Sequence, residues 1–506
     1  MSELPEGFVV PKPVASNIKP SASLVATRNG GEGIEILFCH RISQMPTFPD
    51  FWAFPGGGVT SFDYQAANEL PQLTSDDVGA ALAALMREMV EEVGWAPGED
   101  GLVSVKKIAR ELVVEDGKNW YPLVKKGELT TNSSQFKVIS LRTTPPITRF
   151  RFANHFFHFH DSSPPSPTFP DSRSEFDEFR WLTPNQALEA WGKNEMRIPP
   201  PQITLLRDMI SALEKSSGDI ESATSAMSEN PASGEHHIEF APGVQCVPLP
   251  THTLPPATHT NCYILGKGVD LVIVDPAAKC EEGLAYLERR IRIAEASGCN
   301  VIATIFTHRH PDHIGDLDRV SKIFEAPVWA TAETFEVIPK SENDMVLVDG
   351  FEFTLGKQTW KVLETPGHCP GHICLSSEVG IISGDLAVMD GTILIPPNDG
   401  DMNLYLSSLE RIRDLDPPIL LPAHGPLSPV PEKLLNRYIK HRRLRHGRIL
   451  DAVKNGVHDI ATIAELAYED TPNAHPILKL DQALSHLRSH ERDGNVIQRG
   501  KNWYLQ

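Results

Sequence analysis

No uninterrupted apolar run in this sequence approaches the ~18–20 residues that a membrane-spanning helix needs. Disulfide and thiolate-zinc frameworks are also missing. The seven cysteines (39, 246, 262, 280, 299, 369 and 374) are scattered, odd in number and free of CxxC spacing. That pattern points to a reducing compartment, read as cytoplasmic. The opening MSELPEGFVV has neither a basic n-region nor an Arg-rich amphipathic stretch, so secretory and mitochondrial targeting are not expected. Positive charge is short as well: 47 Lys/Arg stand against 66 Asp/Glu, a net charge of −19 that repels a polyanion at long range. The basic exception is the segment after Pro431, with 13 Lys/Arg against 9 Asp/Glu.

At 506 residues the chain is too long for one ordinary core. The small, polar stretch 214–237 lacks apolar periodicity and reads as an interdomain linker, and the Pro/Ser-rich stretch 161–175 as a long loop. Before the linker, strand-like runs such as RFRFANHFFHFH accompany a helical segment from Asp77 to Val93. After it, apolar runs such as VIATIFTH alternate with helices, an α/β pattern. Beyond Pro431 the pattern is helical and closes on a short strand pair, which suggests a winged-helix-like module. The expected domains are 1–213, 238–430 and 431–506.

What the chain does have is a concentration of metal-binding groups. THRHPDHIGD (307–316) places His308, His310, Asp312 and His313 at the end of an apolar run. In an extended strand end, His308 and His310 point the same way. TPGH adds His368, SGD adds Asp385 and PAHG adds His424, each beside an apolar run. Seven imidazole and carboxylate groups on four loops suit Zn²⁺. Any one of these histidines alone is better read as a packed loop residue; the seven together are not.

HxHxDH at 308–313, TPGH at 365–368, SGD at 383–385 and PAHG at 422–425 resemble the metallo-β-lactamase superfamily in its hydrolase branch, over roughly 238–430. The resemblance implies an αββα sandwich holding two zinc ions. His308, His310 and His368 would hold one, Asp312, His313 and His424 the other, and Asp385 would bridge them. Asp312 is also the candidate catalytic residue, and Asp275 a hydrogen-bonding support. His372 is either a second supporting or leaving-group residue or a merely packed histidine. THTNCYIL (258–265) and the tail after Pro431 resemble the beta-lactamase-like protein 2 branch. Two cations sharing a water lower its pKa and so supply a hydroxide at neutral pH.

A second constellation lies upstream. Glu88, Glu91 and Glu92 in LMREMVEEVGW share a helix face, where three like charges repel unless a cation joins them. With FPGGG at 54–58, the segment resembles the Nudix box, over about 15–212, implying an α/β/α sandwich that uses Mg²⁺ or Mn²⁺ on these glutamates to cleave diphosphates. Glu91 and Glu92 are then the catalytic candidates. EFDEFRWLTPNQALEAW (175–191) resembles the closing segment of that family. Gly58 lies 29 residues before Arg87, where the box has 14. Counted back from Arg87, the first box glutamate falls on Gly79, leaving Asp76 or Asp77 as replacement.

The functional expectation is a dizinc hydrolase of an ester or thioester carried on coenzyme A or an acyl carrier, with the Nudix part a diphosphatase. The alternative is a single-strand endoribonuclease drawing on KHRRLRHGR (440–448), a run that otherwise reads as a solvated helix face. RNA is disfavoured as a partner, no membrane is expected, and a non-enzymatic scaffold ranks last.

Overall fold

The computed structural model describes residues 5, 7–11, 17–148 and 150–506; much of the opening segment read for targeting lies outside them. The chain divides into two compact units, one formed by 15–242 and the other by 243–506 together with 1–14.

In the first unit Ile18–Gly30 runs parallel to Arg151–His160, with Leu24 opposite Phe157, and antiparallel to Gly33–Arg41. Phe156, Phe157 and Phe159 are all buried, because this central strand is covered on both faces. The helix Asp77–Glu88 packs one face and the helices Pro184–Gly192 and Pro200–Lys215 the other, giving an α/β/α sandwich. The closing segment behaves as its sequence suggests. Thr183 and Gln186 form a capping box with Pro184 behind it, and Trp191 enters the core.

The expected linker at 214–237 is instead part of this unit. Asp219 caps the helix Ile220–Glu229 by accepting from Ser222 N–H at 2.8 Å, and Ala232–Glu235 pairs in parallel with Lys137–Thr143. Its apolar stripe consists of little more than Ile220 and Ala223, with the buried Thr224 hydroxyl donating to Ile220 O at 2.8 Å. So small a stripe leaves almost no periodic signal.

The second unit holds two sheets. Val244–Pro250, His259–Leu265 and Asp270–Val274 are antiparallel, followed by Asn300–Ile305, Val328–Ala330 and Met345–Val346 in parallel. Glu352–Leu355, Gln358–Glu364, Ile373–Ser377 and Gly380–Gly384 form an antiparallel meander, extended in parallel by Leu420–Pro422. The helix Glu281–Ala296 covers the first sheet, and Met402–Asp414 with Pro431–Lys454 covers the second. The result is an αββα sandwich. Every predicted ligand loop leaves the end of one of these strands or follows directly on one. Three helices (Pro431–Lys454, Ile460–Ala467, Pro476–Arg492) and the hairpin Val496–Arg499/Asn502–Leu505 complete the chain around Trp503, in the order expected. No helix among the described residues is long and apolar enough to cross a membrane.

Candidate metal centre

Four loops converge as the sequence suggests. His308 Nε2 lies 3.1 Å from His310 Nδ1, and His368 Nε2 lies 2.9 Å from the same atom. Asp385 stands between this trio and the remaining groups: Oδ2 is 3.7 Å from His368 Nε2, and Oδ1 is 3.5 Å from His313 Nε2 and 3.4 Å from His424 Nε2. Asp312 Oδ2 is 3.6 Å from His424 Nε2. Zn–ligand bonds of 2.0–2.1 Å in a tetrahedron put neighbouring donors about 3.3 Å apart, so these gaps are the size an ion would span.

The unsatisfied atoms point the same way. Asp312 Oδ2, His313 Nε2 and Asp385 Oδ1 are buried without a hydrogen-bond partner. Leaving such groups unpaired costs about 1–3 kcal/mol each, more when charged, so a divalent cation fits the donor set. Burial drives His308 and His368 well below the usual histidine pKa. Burial also disfavours the charged forms of His313 and Asp385, but attraction to opposite charge wins: Asp385 and Asp275 raise the histidine, and His424 and then His313 lower the carboxyl.

Three of the imidazoles are oriented from behind. His313 Nδ1 meets Asp275 Oδ2 at 2.9 Å, His368 Nδ1 meets Leu394 O at 2.8 Å, and His424 Nδ1 meets His259 O at 2.9 Å. A carbonyl can only accept, so the outer nitrogen carries the proton and the inner one offers its lone pair. Asp275 supports the site as expected. It accepts from Thr307 N–H at 2.8 Å and from Thr307 Oγ1 at 2.6 Å, from a left-handed backbone conformation (φ 49°).

His372 has both ring nitrogens engaged, the arrangement of a supporting residue rather than of a group free to meet a substrate. Its Nδ1 faces Thr365 Oγ1 at 2.8 Å, its Nε2 accepts from Asp385 N–H at 3.0 Å, and burial lowers its pKa to about 4. Both nitrogens are engaged, so it fixes the backbone of Asp385. Gly384 (φ 48°) must stay small here, because a Cβ would come within 2.7 Å of His372 Nε2.

Sequence reasoning missed two groups. Cys369 is buried with its Sγ within 4.8 Å of the donor atoms of His308, His310 and His368. Asp399 Oδ2 approaches His310 Nε2 at 3.4 Å while its other oxygen binds Arg309. Adjacency to His368 signalled the cysteine; nothing local signals the aspartate.

The N-terminal glutamates are arranged differently. Glu88, Glu91 and Glu92 share the helix face, but among the described residues they do not form a group of three close enough for a single ion. Arg87 draws Glu88 to 2.8 Å and Glu91 to 3.1 Å, whereas Glu92 Oε2 turns to Gly56 N–H at 2.7 Å. Glu92 Oε1 is buried without a partner, and burial pushes the Glu88 pKa up to about 7. A cation would relieve both conditions, so the carboxylates fit one in part. The Asp76 and Asp77 expectation is corrected. Asp76 caps its helix, accepting from Gly79 N–H at 2.9 Å, and Asp77 accepts from Tyr64. The buried carboxylate that meets Arg87 is Asp63, at 3.0 and 3.1 Å. It lies five residues past Gly58, one short of the forward count from that glycine and on it when Gly57 is taken instead, so the extra residues fall between Asp63 and Arg87 rather than before the carboxylate.

A further group, His446, His490 and Asp493, brings donor atoms within 4.8 Å. Its two rings stack at 3.5 Å with 18° between planes, and lone pairs in near-parallel planes do not converge on one ion.

Family models for the NUDIX domain and the metallo-beta-lactamase superfamily match residues 18–202 and 255–424. Beta-lactamase-like protein 2 homologs from Caenorhabditis elegans and Drosophila melanogaster are each 26% identical, over 47% of this chain and 80% and 84% of their own lengths. An atrochrysone carboxyl ACP thioesterase from Aspergillus fumigatus is 28% identical over 41% of this chain and 63% of its own. Among solved structures, a metallo-beta-lactamase family protein from Thermus thermophilus is 20% identical (TM-score 0.44, 53% of this chain and 100% of that one). A NUDIX hydrolase from Alicyclobacillus acidocaldarius is 25% identical (TM-score 0.38, 43% and 100%). The chain is thus a hydrolase of two parts, an N-terminal NUDIX domain followed by a domain of the metallo-beta-lactamase superfamily.

Proposed function

We propose that the second domain is a dizinc hydrolase of acyl esters or thioesters, on coenzyme A or an acyl carrier. The observation that carries this reading is the convergence of seven imidazole and carboxylate groups, three of them with orphaned buried atoms, beside an apolar cleft. Two bound cations would supply a hydroxide nucleophile and offset charge that develops on the carbonyl oxygen. His308, His310 and His368 would hold one ion, Asp312, His313 and His424 the other, with Asp385 between them. Asp312 would also serve as the catalytic residue, taking up a proton. The cleft, a shallow one with only about 20 Å³ of enclosed space, is walled by Leu254, Pro255, Pro256, Val388 and Ile393, with Asp385 and His424 lining it and Asp390 also in its wall. Apolar walls and added negative charge suit an acyl chain and disfavour a phosphodiester.

The basic tail gives the endoribonuclease alternative little support. Within KHRRLRHGR, Arg442 and Arg445 are only 2% and 1% exposed. Arg443 binds Glu410, and Arg445 and Arg448 bind Asp470 at 2.6 and 3.0 Å. Few cations remain for the six to ten phosphate contacts of a strong nucleic-acid binder. For the NUDIX domain, we propose Mg²⁺- or Mn²⁺-dependent diphosphate hydrolysis through Glu88, Glu91 and Glu92. A small-molecule or carrier-bound substrate and a cytoplasmic setting complete the reading.

The test incubates full-length protein with acyl-CoA and with single-stranded RNA, with and without chelator. Thioester cleavage abolished by chelator and by His310→Ala is the expected result. RNA cleavage lost in that variant, without thioesterase activity, overturns it.

A further inference from the structure

We propose that Arg442 and Gln482, on two helices of the C-terminal extension, are positioning residues for the metal centre and act through the backbone that orients His368.

His368 offers Nε2 to the site only while Nδ1 donates to Leu394 O, at 2.8 Å. Leu394 lies in an irregular segment, with no helix or strand of its own to hold that carbonyl. The neighbours on both sides are gripped from the tail. Arg442, from Pro431–Lys454, donates to Ile393 O and to Thr392 Oγ1 at 3.1 Å. Gln482, from Pro476–Arg492, binds Ile395 in both directions. Its Oε1 accepts from Ile395 N–H and its Nε2 donates to Ile395 O, each at 3.2 Å. The two side chains are joined to each other, Arg442 Nη1 donating to Gln482 Oε1 at 3.1 Å. Both are buried, at 2% and 5% exposure, so the network is shielded from competing water.

Leu394 O therefore sits between two clamped residues. A shift of that carbonyl would free Nδ1 and let the imidazole rotate or change tautomer. The same helix reaches the site's other side. Tyr438 exchanges hydrogen bonds with both N–H and O of Val388 at 3.2 Å, three residues past Asp385. This assigns the extension a role in the geometry of the centre, in place of recruiting a polyanion.

The inference rests on the metal-site reading, and its test separates the two. Metal-stripped full-length wild type, Gln482→Leu, Gln482→Glu and Ile463→Ala are titrated with Co²⁺ alone, followed by visible absorption and thermal midpoint. Ile463 lies in the core of the terminal helices, apart from the grip, and controls for loss of stability. Histidine ¹⁵N spectra of the metal-free proteins report the His368 tautomer. Gln482→Leu is expected to weaken cobalt binding about 10–100-fold, change the absorption and release the Nδ1–H tautomer. Gln482→Glu keeps an acceptor for Arg442 and for Ile395 N–H, and recovers part of the affinity. Ile463→Ala lowers the midpoint with wild-type cobalt affinity and spectrum. A folded Gln482→Leu with wild-type cobalt affinity and His368 tautomer overturns the proposal, as does equal weakening by Ile463→Ala. Wild type that takes up no cobalt defeats the metal-site reading instead, and the tautomer in metal-free protein still decides this one.

Discussion

Arg87 forks onto both oxygens of Asp63, at 3.0 and 3.1 Å, with the two side chains 8% and 1% exposed. Removing Asp63 takes the bidentate partner from Arg87 and leaves it only Glu88 and Glu91. Asp63→Ala is expected to destabilise the N-terminal unit by about 2–3 kcal/mol, measured by urea denaturation. Asp76→Ala removes only a helix cap and is expected to cost about 1 kcal/mol. Equal losses in the two variants would remove Asp63 from its assigned place.

His158 gives that unit an acid sensitivity. Burial lowers its pKa to about 3, against 6.5 for a free histidine, while Thr27 Oγ1 sits 2.8 Å from Nε2. Between those values the unfolded chain binds the proton and the folded one does not, so stability falls as pH drops below 6.5. The slope is about 1.4 kcal/mol per pH unit. His158→Gln should lose less stability than wild type between pH 7 and pH 5, and denaturation midpoints at the two pH values measure the difference. Parallel behaviour would refute it.

With Mg²⁺ held constant, a zinc-selective chelator should act on the second unit. Metal-free protein leaves Asp312, His313 and Asp385 with unpaired buried atoms. A ligand at 1,000 times its Kd adds about 4 kcal/mol by mass action. Calorimetry with and without chelator is expected to show a lowered transition for the second unit. A transition indifferent to chelator, at any added zinc, would contradict the donor assignment.

Cys369 sits within reach of three imidazoles and offers a softer donor than they do. Cys369→Ser is expected to bind Zn²⁺ about as well as wild type but to lose about tenfold in preference for Cd²⁺ over Zn²⁺. Competition titrations report the ratio; an unchanged ratio would show that the thiol stays out of the donor set.

Much of this centre was legible because its donors come in short motifs at strand ends, where identity and spacing survive any tertiary arrangement. Asp63 was hidden because a lengthened loop separates it from Arg87 and a count from the wrong end lands on Gly79. Asp399 stands in a loop that carries no pattern. Arg442 and Gln482 were unreadable for another reason. They act on backbone carbonyls, and a carbonyl has no letter in the sequence. The helix Ile220–Glu229 escaped notice because its buried stripe is almost entirely small residues.

His308, His310, Asp312 and His313 hang from one β-layer of the second unit, and His368, Asp385 and His424 from the other. An ion held among them would be a rivet through the sandwich, joining its two halves at that edge. In a cell short of that ion, protein freshly synthesised without the rivet would present a loosened rim to proteases, so abundance, and not merely turnover number, would track the metal supply.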